Sequence, residues 1–188
     1  MQKPLTLLLA LFLTALTTAS TPAQTEKPPK GGKINWLTIE QAYALYQKTP
    51  KKFVIDVYTD WCGWCKVMDR NTFRNAAVVD YVNRNYYAVK LNAEQREDIR
   101  LGKDTFRFVD QGNGRGYHQL AASLMNNQLS YPTTVFLDEK MGMIQPVAGY
   151  LEPTAFHQII TFIGGNHHKA EPFEQFKAGT YVKSYAKK

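Results

Sequence analysis

Phe53-Val54-Ile55-Asp56-Val57-Tyr58 runs directly toward Trp61-Cys62-Gly63-Trp64-Cys65-Lys66, and no other stretch restricts the fold so tightly. The apolar run is continuous rather than alternating, the pattern of a central strand buried on both faces. Helical character follows Cys62, so the two cysteines stand at a strand-to-helix turn. They are the only cysteines in 188 residues. A thiolate at a helix start faces unpaired backbone N–H groups and the positive end of the helix dipole. That setting lowers a thiol pKa and makes a nucleophile near neutral pH. A bridge across Cys62 and Cys65 would close a very small loop and remove little unfolded-state entropy. The pair is therefore better placed to react than to staple. A structural zinc site needs about four ligands. There is no second CxxC, and among His118, His157, His167 and His168 only the last two are adjacent.

The chain opens with a basic lead, Met1-Gln2-Lys3-Pro4, an apolar run from Leu5 to Leu16, and small residues to Ala23. This is the layout of a secretory signal peptide. The apolar run falls short of the ~20 residues that span a bilayer, so a cleaved signal over residues 1–23 is expected, ending at Ala19 or Ala23. Residues 24–33, rich in Lys, Pro and Gly, read as a flexible leader. The expected location is periplasmic or extracellular. The formal net charge is +7, but the Lys and Arg residues are scattered and form no nucleic-acid motif. A solvated cationic surface is the reading, with no nucleic-acid partner.

Thr38 and Gln41 form a capping box ahead of an apolar stripe at Ala42, Leu45 and Tyr46, which predicts a helix over about 38–48. Ile34-Asn35-Trp36 reads as a short edge strand before it. Helices are predicted from Cys62 to Asn71 and, capped by Asn75, from Ala76 to Asn83. Tyr86 to Asn92 is a second strand, and strand, helix, strand argues for a parallel βαβ unit. In the charged stretch that follows, Thr105 to Val109 alternates like a strand. Gln111-Gly112-Asn113-Gly114-Arg115-Gly116 reads as loop on a surface excursion and lacks the flanking elements of a nucleotide site. His118 to Met125 is predicted helical. Pro132 opens a strand, Thr133 to Leu137, and a turn leads to its partner, Met143 to Val147, where Pro146 favours an edge. Pro153 starts a last helix to about Ile163. A domain over 34–165 and a C-terminal extension over 166–188, with a short helix from Pro172 to Lys177, complete the organisation.

With Trp61-Cys62-Gly63-Trp64-Cys65-Lys66 and Tyr131-Pro132-Thr133 both in place, the chain resembles the thioredoxin superfamily, and within it the exported thioredoxin-like dithiol proteins of bacteria. The resemblance covers about residues 34–165. It implies an α/β thioredoxin fold: a central mixed sheet flanked by helices on both faces, with an insertion over 96–117 before the cis-proline strand. In that family a proline placed as Pro132 is cis and lies beside the dithiol. A buried acid stands six residues before the first cysteine, here Asp56, and a lysine in the following parallel strand, here Lys90. Between the cysteines stand Gly63 and Trp64, where thioredoxin has Gly-Pro, the dipeptide that tunes redox poise. The excursion exceeds the family's usual connection and is expected to shape a substrate groove.

The activity implied is thiol–disulfide exchange on protein substrates. Cys62 attacks, and Cys65, one turn in and more buried, resolves the mixed disulfide. A carboxylate in an apolar strand is costly as an ion, so Asp56 should be protonated or paired. Its implied role is to accept the Cys65 proton through water, with Lys90 as its pairing partner; the plain alternatives are a strand-end polar residue and a snorkelling surface lysine. Trp61, Gly63, Trp64, Tyr131 and Pro132 are the expected substrate surface, the tryptophans offering apolar area and the Tyr131 backbone a strand-pairing edge. No cofactor and no metal are expected. Reduction is favoured over oxidation or isomerisation, with a membrane thiol relay as the electron-donating partner. Two readings from other classes stay open: a binding module with incidental thiols, and a metal carrier using the dithiol with His167-His168.

Overall fold

In the computed structural model, which describes residues 32–186, the strand running into the cysteines is the middle of a five-stranded sheet. The signal-like segment and most of the leader lie outside the described residues. Numbered along the chain, the sheet contains in spatial order Trp36–Leu37 (β1), Tyr86–Asn92 (β3), Lys52–Tyr58 (β2), Thr133–Leu137 (β8) and Met143–Ala148 (β9). β3 runs parallel to β1 and β2, whereas β8 is antiparallel to both β2 and β9. The sheet is therefore mixed, and Pro146 sits on an edge strand, where its missing N–H costs no ladder bond.

Side chains alternate across a strand, and in β2 both alternating sets are buried. Phe53, Ile55 and Val57 join Ile39–Tyr46 (α1) and Gln119–Leu124 (α4) on one face. Val54 meets Gly63–Asn71 (α2), Ala76–Asn85 (α3) and Pro153–Gly164 (α5) on the other. This two-sided burial explains the absence of alternation, and it sends Asp56 to the face of Val54, beneath α2. The local signals hold the helices as expected. Thr38 and Gln41 close both halves of the capping box, and the Asn75 side chain accepts from the N–H groups of Ala77 and Val78.

Three local expectations change. The first strand begins at Trp36 rather than Ile34, because the Asn35 N–H leaves the ladder for Asn83 Oδ1 at 2.9 Å while Ile34 packs into the core. The single strand expected over Thr105 to Val109 is broken at Arg107, whose N–H and carbonyl are both taken by Gln119. Its two halves belong to separate hairpins: Ile99–Leu101 (β4) with Asp104–Phe106 (β5), and Phe108–Gly112 (β6) with Arg115–His118 (β7). The glycine cluster is the tip of the second hairpin, where Gly112, Asn113 and Gly114 all take left-handed φ values of 92°, 54° and 74°. Glycine adopts that region without the steric cost of a Cβ.

Beyond α5 the chain forms Phe173–Phe176 (α6), a π-helical stretch Lys177–Tyr181, and Val182–Ser184 (α7). It folds back onto the domain. Phe176 is fully buried with its ring centroid 5.1 Å from that of Phe162 on α5, and the Tyr181 hydroxyl lies 3.0 Å from His157 Nδ1.

Candidate active site

Cys62 is the N-cap of α2, with extended backbone that turns its side chain back over the first helical turn. Its sulfur accepts the Cys65 N–H at 3.1 Å and is bonded to Cys65 as a disulfide. The donor is one of the orphan amides of a helix start, so the same contact is available to a thiolate. Cys65 is expected to be the more buried of the two, but both are 3% exposed. The capping position tucks the Cys62 sulfur beneath the helix start. Exposure at the site passes instead to the flanking rings, with Trp61 at 67% and Trp64 at 62%.

The two tryptophans are held apart. Trp61 donates its indole N–H to both carboxylate oxygens of Glu94 at 3.0 Å and meets Tyr131 edge-on with ring centroids 5.9 Å apart. Trp64 leans on Tyr150 at 5.3 Å. The Tyr131–Pro132 peptide bond is cis, and the Pro132 carbonyl accepts the Gly149 N–H at 2.8 Å. A Cβ built on Gly63 meets nothing within 4 Å, so open space lies beside Cys62 on that side.

Asp56 is 1% exposed, in mid-strand. In the parallel β2–β3 register its partner is Lys90, and across the antiparallel β2–β8 pair it is Thr134. Lys90 Nζ lies 2.6 Å from Asp56 Oδ2 and also pairs with Asp69 on α2. Three rings surround the ammonium, those of Trp36 and Tyr58 at 5.1 Å and Phe73 at 5.2 Å. Asp69 follows Cys65 by four residues on α2, hence on the same helix face. The face that carries Cys65 is thereby tied through Lys90 to the buried acid. Burial is the largest influence on Asp56 and raises its pKa to about 6; Lys90 opposes the rise, and the charge of Asp69 adds to it. Lys90 is itself held above its ordinary value: burial disfavours its charge most, but two carboxylates together outweigh that. Pairing with Lys90 therefore moderates the pKa of Asp56 without bringing it below the ordinary carboxylate range. Asp56 Oδ1 and Thr134 Oγ1 are both buried and bonded to no other protein atom among the described residues.

The histidines stand elsewhere. His118 caps α4 through Nδ1, and His167 contacts Tyr185 and Glu171 in the extension. Among the described residues no three His, Cys, Asp or Glu side chains cluster as a metal site would require.

A family model described as "Thioredox_DsbH: Protein of unknown function, DUF255" matches residues 29–164. The chain belongs to this thioredoxin-like family. Solved structures share its fold at low identity. One titled "DsbH Oxidoreductase" is 14% identical with a TM-score of 0.51, covering 76% of this chain and 92% of its own. A thioredoxin-fold protein from Helicobacter pylori is 18% identical with a TM-score of 0.53, covering 77% and 96%. A putative disulphide-isomerase from Bacteroides thetaiotaomicron is 20% identical with a TM-score of 0.50, covering 76% and 98%. An uncharacterized protein of Caenorhabditis elegans, B0495.5, is 30% identical over 77 residues, which are 41% of this chain and only 10% of that protein. The α/β thioredoxin fold expected from the motifs is thus shown, and a CxxC disulfide at its helix start is the constellation of a thioredoxin-like thiol–disulfide oxidoreductase.

The expected site residues fall into three groups. Cys62 and Cys65 are bonded, Asp56 and Lys90 are paired, and Trp61 and Tyr131 are in contact, while Trp64 turns toward Tyr150. Sequence reasoning missed Asp69, Thr134, Glu94 and Tyr150. Asp69 had a signal, its spacing from Cys65, and Thr134 had one in the strand register. Glu94 and Tyr150 had none.

Proposed function

We propose that this protein is an exported thiol–disulfide oxidoreductase that reduces disulfides in protein substrates. In the reduced protein the Cys62 thiolate attacks one substrate sulfur. A mixed disulfide forms, and the other substrate sulfur leaves as a thiolate that takes a proton from solvent. Cys65 then gives its proton to Asp56 through water and attacks the Cys62 sulfur. The Cys62–Cys65 disulfide forms and the second substrate sulfur leaves as a thiolate that takes a proton from solvent, so two electrons have passed to the substrate. A membrane thiol relay then returns the pair to the dithiol.

The observation that carries this reading is the placement of a buried, Lys90-paired Asp56 under the helix face of Cys65. Substrate reduction requires Cys65 to lose a proton, and a base with a pKa of about 6 accepts one near neutral pH. The deciding experiment is equilibration of the Cys62–Cys65 pair against glutathione. A potential near or below about −230 mV supports the reductase, and one near −120 mV overturns the direction in favour of an oxidase. An intermediate value together with refolding of scrambled disulfide proteins would mark an isomerase, a reading favoured by the exposed apolar surface of Trp64. Turnover by Cys62→Ser protein would refute dithiol chemistry altogether. Export is tested by sequencing the mature N-terminus: a start at Ser20 or Gln24 is expected, and retention of Met1 with the protein in the cytosol refutes it.

A further inference from the structure

Lysine and arginine are scattered along the sequence, yet the fold gathers a set of them at one end of the molecule. β1, β2 and β3 run in parallel, so their first residues share the end of the sheet opposite to Cys62, which follows β2. The seven residues of β2 put about 20 Å between the two ends. Lys33 precedes β1, and its carbonyl accepts the Asn83 amide at 3.0 Å near the end of α3. Lys48 follows α1. Lys51 leads into β2, its ammonium 5.1 Å from the ring centroid of Tyr87 at the start of β3. Leu137 pairs with Phe53, which brings the turn after β8, with Lys140 in it, to the same end. Asp138 in that turn is held below its ordinary value first by the Lys140 N–H, and Glu139 first by the Lys52 ammonium. Lys169, beyond α5, adds to both shifts, so it stands beside the turn.

These cations are not matched where they stand. Lys33, Lys48, Lys51, Lys140 and Lys169 make no ion pair among the described residues. Glu139 and Asp80 are already paired with Lys52 and Arg84. Asp138 accepts N–H groups of its own turn and Glu171 accepts the Thr180 hydroxyl; both keep their charge and offset two of the five ammonium groups, leaving an excess of three. The excursion is different, since residues 94–117 hold five cations and five carboxylates. Lys48 and Lys169 follow helix C-termini, where a cation complements the dipole, but Lys51 opens a strand and Lys140 sits in a hairpin turn, where no helix dipole accounts for them. Five separate segments spread the charge over an end face, an arrangement that matches a flat polyanionic surface. The leader, with the apolar run from Leu5 to Leu16 ahead of it, joins the domain at this same end beside Lys33.

We infer that this end of the molecule docks on the anionic headgroups of a phospholipid bilayer, and that the dithiol then faces away from the lipid. Juxtamembrane clusters of this kind are attracted to anionic leaflets, each cation near the surface contributing severalfold in affinity. The test is cosedimentation of the chain with phosphatidylcholine vesicles that contain about one third phosphatidylglycerol or none. The readout is the ratio of the two partition coefficients, in which any insertion of the apolar run common to both vesicles cancels. The wild-type ratio is about tenfold or more at low salt, and raising NaCl to about 0.5 M abolishes the preference by screening. Lys48→Glu/Lys140→Glu/Lys169→Glu brings the ratio to about one. The same charge change made on α2 and the turn after it, Lys66→Glu/Arg70→Glu/Arg74→Glu, lowers it by less than about threefold, because those side chains lie on the dithiol-bearing helix and just beyond it. All six side chains are exposed, so neither triple disturbs the core. Acrylamide quenching of the exposed Trp61 and Trp64 is unchanged on binding. A wild-type ratio near one, equal losses from the two triples, or tryptophans shielded by anionic vesicles overturns the assignment. Heparin retention that the Lys48, Lys140 and Lys169 triple abolishes, without any vesicle preference, overturns it in favour of a soluble polyanion.

Discussion

Replacing Asp56 by Asn makes the sharpest test of the buried acid, because its effect must change with pH in one direction. Asp56 titrates at about 6 in the fold against an ordinary value of 3.8, with burial as the leading cause. At 1.36 kcal/mol per pKa unit, that difference of about two units corresponds to roughly 3 kcal/mol. The folded protein holds this proton more tightly than the unfolded chain does. Between pH 3.8 and about 6 the native state therefore binds more protons, and unfolding free energy falls as pH rises through the window. Asn at this position does not titrate, and Lys90 keeps its second partner, Asp69. Carboxylates that do not share Lys90 with Asp56 contribute equally to both proteins and cancel in the comparison. Urea denaturation of the oxidised proteins at fixed salt should show the smallest stability difference near pH 4. By about pH 7 the Asn variant should have gained roughly 3 kcal/mol relative to wild type. A difference that stays flat, or moves the other way, would mean that Lys90 outweighs burial and that Asp56 is an ordinary ion pair with no base function.

Three further perturbations bear on the same core. Asp69→Asn removes the charge that pushes Asp56 upward and leaves Lys90 to a single partner, so the Asp56 titration should move below about 6; an NMR carboxyl titration reads this, and an upward shift counts against the shared ammonium. Thr134→Val removes a buried hydroxyl that bonds no protein atom among the described residues and should cost less than about 1 kcal/mol; a loss above about 2 kcal/mol in urea denaturation would show that the hydroxyl is bonded through water, with Asp56 as the facing group. Phe176→Ala empties a fully buried site beneath the extension and should cost about 3–5 kcal/mol, as truncated core aromatics do; a single unfolding transition displaced by under 1 kcal/mol would mean that the extension does not share the domain's cooperativity.

What could be read from the residues, and what could not, divides by the range of the interaction. The continuous run of β2, the Thr38–Gln41 capping box and the Asn75 cap are local signals, and each marks its element to within a few residues. The Asp56–Lys90 pair was also within reach, because two parallel strands of seven residues each align these positions once their pairing is assumed. The hairpins of the excursion escaped because their strands are three to five residues long. Alternation over so few positions does not separate one strand from two halves of different hairpins, and the break at Arg107 depends on Gln119, twelve residues away. The equal burial of Cys62 and Cys65 escaped for a related reason: a side chain that caps its own helix is withdrawn by local geometry, whereas the expectation that Cys65 is the more buried came from its place one turn further in.

Asp69 shows why an ion pair read from strand register can still be electrostatically incomplete. Register brings Lys90 to Asp56, but only the docking of α2 brings a second carboxylate to the same ammonium. If Lys90 served Asp56 alone, the pair would hold the acid lower. Sharing it leaves the acid under-compensated, and burial then sets the direction of the shift. The pKa that suits Asp56 to accept a proton near neutrality is thus a property of three elements, β2, β3 and α2. The last of these also carries the cysteines, so movement of the helix during disulfide exchange would alter the Lys90–Asp69 contact and with it the proton affinity of the acid beneath.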